Sequence, residues 1–296
     1  MARKRYGRHA GRSSMGKRIG LAGTVAAVAV GAMFVVQNSF AATIPGLGPG
    51  HQVAAGPRPR AAFGSGTGFG GATGFGGGAG FGGGAGVAST GDRKGNCPDA
   101  HIIVTRASTE APGEGIIGSL ASAVTRASKQ KITVEATDYP AALSPYPPSV
   151  AAGTRALTTE LTEEAANCPA TKIVMMGYSQ GAHVIGDVLA GTGRVAGFTR
   201  FAAVSTAVSD RVGAIVLMGD PRYVPGKSFN AGTSKTKGLF ARANDASLDA
   251  FAARTRSFCD TGDTFCASGN SVAVHLSYTG KYNSAAEKFV LARIGG

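Results

Sequence analysis

The stretch IVMMGYSQGAHVIGDVL, Ile173–Leu189, constrains this chain more than any other. An apolar, β-rich run passes through Gly177-Tyr178-Ser179-Gln180-Gly181 into a helical pattern. This is G-x-S-x-G between a strand and a helix, the context that a nucleophile elbow requires. Such a turn is tight, and glycines two residues to either side leave room for strand and helix to pack closely. Ser179 is then presented at the carboxyl end of a sheet, above a helix N-terminus. The backbone N–H of Gln180 points where an oxyanion would form.

The neighbouring segments fit that context. HIIVT (101–105), KITVEAT (131–137), KIVMMG (172–177) and AIVLMG (214–219) read as buried strands, and RTRSF (254–258) as a fifth. Helical patterns at 118–129, 149–168 and 284–294 separate or follow them, with Ser149 after Pro147-Pro148 placed to cap the second. Strands alternating with helices form a parallel sheet covered on both faces. The expected fold is a three-layer α/β/α sandwich with a mostly parallel five-stranded sheet and no lid insertion.

A serine alcohol needs a base. His9 and His51 lie in the amino-terminal third, and His101 begins the first strand. His183 lies one turn down the elbow helix, where it reads as a packing or surface residue. His275, in SVAVHLSYTG, remains, placed as a base on a mobile loop would be. The base needs an acid that fixes its tautomer, and Ser…acid…His is the chain order of α/β hydrolases. Asp187 falls in the elbow helix and Asp210 before a strand. Asp220, in GDPRYVPG, follows the fourth strand and is a serious rival. Asp260 and Asp263 lie within CDTGDTFC, where Asp263 is near the middle of the loop and Asp260 is placed to cap the turn.

The four cysteines, Cys97, Cys168, Cys259 and Cys266, allow three pairings. Cys259 and Cys266 are near enough to close a short loop, which would leave Cys97 with Cys168. No histidine pair or C-x2-4-C spacing accompanies them, so a metal site is not expected. The basic surplus is local: nine of the 30 Lys and Arg precede Asp92, leaving 21 against all 17 acidic residues. With no basic stripe interleaved with aromatics, nucleic acid is excluded as a partner. Seven basic residues before the apolar run 19–36 make residues 1–41 a signal peptide, cut after Ala41, or a signal anchor. Either one places the chain beyond Thr43 outside the cell or on the outer face of its envelope. Residues 42–91 carry a hexad repeat with Phe63, Phe69, Phe75 and Phe81, whose glycine content cannot support a packed core, and read as a flexible linker. The catalytic domain is then 92–296.

From Cys97 onward the chain resembles the cutinase family of serine esterases, through CPD, TRASTE, GYSQGA, CDTGDTFC and HLSYTG in that order. The resemblance implies a triad Ser179–Asp263–His275 and the bridges Cys97–Cys168 and Cys259–Cys266. It implies an oxyanion hole from the Gln180 N–H and from Ser108, including the Ser108 side chain. Where many relatives carry glycine this chain has Ala107, which leaves Thr109 as the second candidate. The long basic amino end, the Phe-Gly repeat and GDPRYVPG are more similar to cutinase-like proteins of actinobacterial envelopes.

The expected reaction is hydrolysis of short- to medium-chain esters through an acyl-enzyme, without cofactor. The expected partner is an ester substrate at a lipid or polyester surface, with the chain a monomer and residues 19–36 a possible membrane anchor. A plant polyester, an envelope lipid, a phospholipid and an acetylated xylan all fit. A non-catalytic envelope scaffold or adhesin is the alternative outside enzymology.

Overall fold

The computed structural model describes residues 96–295. The expected export signal or anchor of residues 1–41, its apolar run 19–36 and the expected linker 42–91 lie outside the described residues. The chain order is β1 (Ala100–Thr105), α1 (Gly118–Ala127), β2 (Ile132–Ala136), α2 (Tyr146–Asn167), β3 (Lys172–Tyr178) and α3 (Gln180–Ala190). It continues through α4 (Thr206–Ser209), β4 (Val212–Met218), β5 (Asn230–Ala231), β6 (Thr255–Phe258), α5 (Val272–His275) and α6 (Tyr278–Ile294). The strands form one sheet in the order β2-β1-β3-β4-β6-β5, and every pairing is parallel.

Because successive side chains in a strand face opposite ways, each apolar run supplies two cores. Ile102, Val104, Val174, Met176, Val216 and Met218 pack with α1 and α6 on one face. Ile103, Ile173, Met175, Ile215 and Leu217 pack with α2 and α3 on the other. This is the three-layer α/β/α arrangement. The strand count differs from expectation: the sheet has six strands, because the two-residue β5 pairs with β6 through Asn230 and Ala231. So short a segment carries no alternation to read.

Two helix boundaries also differ. α2 begins at Tyr146, with Pro147 and Pro148 inside its first turn. Proline is tolerated there because those N–H groups have no intrahelical acceptor. Ser149 is therefore inside the helix rather than capping it. α6 starts at Tyr278 and runs through Gly280, six residues before the apolar pattern becomes readable. Two disulfides brace the domain. Cys97–Cys168 ties the entry to β1 to the end of α2, and Cys259–Cys266 closes the loop after β6.

Candidate active site

Ser179 joins β3 to α3 with φ 51° and ψ −113°, a backbone conformation that costs energy for a residue with a side chain. The turn is held by Ser179 N–H donating to the Met218 carbonyl at 2.8 Å. The flanking glycines are obligatory. A Cβ on Gly181 would lie 1.9 Å from the Thr105 carbonyl oxygen, and one on Gly177 would lie 2.7 Å from Ala182 N. The elbow thus sits between the carboxyl ends of β1 and β4.

The chain after β6 brings Asp263 and His275 together. His275 Nδ1 is 2.8 Å from Asp263 Oδ2. The same oxygen accepts the Tyr278 hydroxyl at 2.8 Å, while Oδ1 accepts the N–H groups of Phe265 and Cys266 at 2.6 and 2.9 Å. Burial pushes the Asp263 carboxyl up, but His275, the Cys266 N–H and the Tyr278 hydroxyl outweigh it and hold it below the usual range. An ionised carboxylate at Nδ1 assigns the proton to that nitrogen. His275 Nε2, fully buried, has no hydrogen-bond partner among the described residues.

His275 is positioned from three further sides. Tyr178 donates its hydroxyl to the His275 carbonyl. The Phe265 ring centroid is 4.5 Å away. Gly219, with φ 64°, passes so close that a Cβ there would lie 2.7 Å from His275 Cε1. The histidine ends the short helix α5, which corrects its placement on a mobile loop. The other aspartates are engaged elsewhere. Asp220 Oδ1 accepts the Arg222 backbone N–H at 2.8 Å. Asp260 accepts from Thr233 N–H, Lys281 and Tyr282 at 2.7–2.9 Å. Asp210 faces Arg254 at 3.6 Å.

Beside the elbow, Ser108 and Gln180 meet through their side chains. Ala142 N–H donates to Ser149 Oγ at 2.8 Å, so the Ser149 proton goes to Gln180 Oε1, also at 2.8 Å. The Gln180 amide then donates to the Ala142 carbonyl and to Ser108 Oγ, each at 3.0 Å. Ser108 Oγ is therefore an acceptor towards Gln180, and its own O–H is directed elsewhere. Thr109 N–H is spent on the Ala141 carbonyl at 2.7 Å and Thr109 Oγ1 on the Ser108 carbonyl at 2.5 Å. Glu110 steadies this loop by accepting from Ala107 and Ile116 N–H at 2.6 and 2.7 Å. Sequence reasoning missed Ser149 and Tyr278. Ser149 reads as a cap in the sequence, and nothing local marks a tyrosine in the first turn of α6 as a partner of Asp263.

His183 is completely buried, which corrects the surface half of its expected placement. Its Nδ1 lies 3.1 Å from the Tyr146 hydroxyl and its Nε2 3.3 Å from Asp187 Oδ2, away from Ser179. Among the described residues no group of three or more His, Cys, Asp or Glu is disposed to hold a metal ion.

Residues 96–294 match the cutinase family. The chain belongs to that family. It is similar to Acetylxylan esterase 2 of Talaromyces purpureogenus, 34% identical over 211 residues that cover 68% of this chain and 89% of that one. It is likewise 34% identical to Cutinase 11 of Verticillium dahliae, covering 70% of this chain and 73% of the relative. A solved acetylxylan esterase structure, 34% identical, superposes with a TM-score of 0.63 over 67% of this chain and all of that one. This cutinase-family protein is a serine-type carboxylic ester hydrolase with the α/β-hydrolase fold.

Proposed function

We propose that Ser179 is the nucleophile, His275 the general base and Asp263 the acid that orients it. The reading rests on the His275 ring, whose Nδ1 is held by Asp263 at 2.8 Å while Nε2 is left without a partner among the described residues. Nε2 takes the Ser179 proton as Oγ bonds to the ester carbonyl carbon. The resulting oxyanion is received by the Gln180 N–H and the Ser108 hydroxyl, since both Thr109 donors are already used. As the carbonyl re-forms, the ester C–O bond breaks and Nε2 protonates the departing alcohol. Water, deprotonated by the same nitrogen, then releases the acid and regenerates Ser179.

The acyl group is short to medium in length. Phe265, with Leu143 and Leu239 packed against it, forms a small apolar cluster touching the His275 ring. The names of the relatives support an acetylated polysaccharide or a polyester as the natural substrate. The disulfides fit an oxidising compartment. Residues 1–41 act as the export signal or anchor that places the domain outside the cell or at its envelope.

A fluorophosphonate probe should label Ser179, and Ser179→Ala should lower p-nitrophenyl butyrate turnover by on the order of 10⁶ while the protein stays folded. Across p-nitrophenyl esters from acetate to palmitate, kcat/KM should peak at the short end. Undiminished turnover in Ser179→Ala overturns the triad, and a peak at palmitate overturns the acyl preference.

A further inference from the structure

The segment GDPRYVPG, Gly219–Gly226, contributes nothing but the close approach of Gly219 to the acyl-transfer geometry, yet it builds a second feature. Leaving β4, it walls a small pocket beside β5 and β6, lined among others by Asp220, Arg222, Lys227, Phe229, Asn230 and Arg242. Arg222 and Arg242 are 0% and 8% exposed. Both point an Nη1 at one carboxylate oxygen, Asp187 Oδ1, each at 2.9 Å. Their Nη2 groups donate to the carbonyls of Thr192 and His183 at 2.6 and 3.2 Å.

The Nη1 groups have further partners in Asp187 Oδ2 and His183 Nε2 for Arg222 and the Gly191 carbonyl for Arg242, but the Nε donors are unmatched. Neither Arg222 Nε nor Arg242 Nε has a hydrogen-bond partner among the described residues, and Asn230 Oδ1 likewise lacks a donor. Buried polar groups of this kind are rarely left unpaired, least of all on cations. Three of the ionisable side chains lining the pocket are cationic, and the one acid, Asp220, already accepts the Arg222 backbone N–H. Lys227 stands at the half-buried side, held by Asp249 at 2.7 Å and by Ser247 Oγ at 3.4 Å, with one Nζ–H to spare. The two guanidiniums also repel each other: burial first, then Arg242, brings Arg222 down to about 10.

We propose that this pocket binds a small oxyanion, a phosphate or carboxylate group, on Arg222, Arg242 and Lys227. The anion's oxygens would accept the two Nε–H groups, and an O–H on the same molecule, as in hydrogen phosphate or a hydroxy acid, would satisfy Asn230 Oδ1. The inference concerns binding and does not depend on the triad. The group belongs either to a free anion or to a substrate that carries one.

The test uses the disulfide-bonded full chain and inorganic phosphate at constant ionic strength, with chloride as the control. The wild type should show a saturable rise in Tm, about 3–6 °C at ten times Kd. Lys227→Ala should weaken that rise several-fold, and Arg242→Gln should abolish it. If Arg242→Gln does not fold, calorimetric titration of the wild type and Lys227→Ala decides the matter. A wild-type response equal to that in chloride overturns the proposal, as does a full response in the variants. The source is then read from KM for the p-nitrophenyl monoester of succinate against p-nitrophenyl butyrate. A preference for the charged ester that Lys227→Ala removes assigns the site to a group on the substrate. Phosphate binding without that preference assigns it to a free anion.

Discussion

The Ser149 hydroxyl donates to Gln180 Oε1 at 2.8 Å, and this single bond sets the direction of the other hydrogen bonds that the Gln180 side chain makes beside the elbow. With Oε1 committed to Ser149, the Gln180 amide N–H groups face Ala142 and Ser108. On the proposed mechanism, the donor that Ser108 offers the oxyanion is thus set by Ser149 through Gln180.

Ser108→Ala should lower kcat by about 10²–10³, the usual cost of one oxyanion donor. Ser149→Ala should lose part of that, with KM little changed, because the amide can rotate once Oε1 is released. It also leaves the Ala142 N–H and Gln180 Oε1 unmatched, at about 1–3 kcal/mol of stability. The double variant should be no slower than Ser108→Ala alone. Additive losses in steady-state kinetics would mean that Ser149 acts by another route.

The two candidate acids separate cleanly. Asp263→Asn keeps the shape of the site but cannot hold the imidazolium, so kcat should fall by about 10⁴. Asp220→Asn should cost far less, since Asp220 serves the Arg222 backbone N–H rather than His275. Equal losses in the two variants would return Asp220 to the triad.

Much of this site was legible because its signals are local. The elbow announces itself within five residues, and the buried strands do so through continuous apolar runs that pack on both faces. What escaped depends on contacts distant in sequence. His183 and Asp187, one turn apart, read like a routine helix pair. Their arginine partners come 35 residues after Asp187 for Arg222 and 55 after it for Arg242. Ser149 lies 31 residues from the glutamine it orients, and the prolines before it look like a helix boundary although they stand within the first turn. The two-residue β5 is recruited by pairing with β6 rather than by its own pattern.

The two disulfides should separate stability from activity. The bridges span 71 and 7 residues, so loop closure gives Cys97–Cys168 about 4 kcal/mol and Cys259–Cys266 about 2.5 kcal/mol. Yet the shorter ring positions the Cys266 N–H that Asp263 Oδ1 accepts at 2.9 Å. Losing one hydrogen bond to a charged group is worth about 10–100-fold in rate. A Cys259→Ser/Cys266→Ser variant should therefore lose more turnover and less Tm than Cys97→Ser/Cys168→Ser. Mild reductant that opens only Cys259–Cys266 and leaves kcat whole would show that the ring does not position the acid.

Stability should respond to pH through His183. Its buried ring faces Asp187, Arg222, Arg242, the Tyr146 hydroxyl and the rings of Phe198 and Phe240. Burial lowers its pKa, Asp187 opposes this in part, and the two arginines lower it again. The folded protein therefore holds His183 neutral at pH values where the unfolded chain, titrating near 6.5, has taken up a proton. More protons bound to the unfolded state means that stability rises with pH in this window and is lost as pH falls from about 6.5 towards the folded pKa. Asp187 and Asp263, both held low, act in a separate window below about pH 4. Urea unfolding between about pH 4.5 and 8 should show a slope of up to about 1.4 kcal/mol per pH unit from this one group. His183→Gln removes the titrating ring, so its profile should be flatter below about pH 6.5 by that amount. An unchanged slope would place the acid sensitivity of the fold outside the His183 cluster.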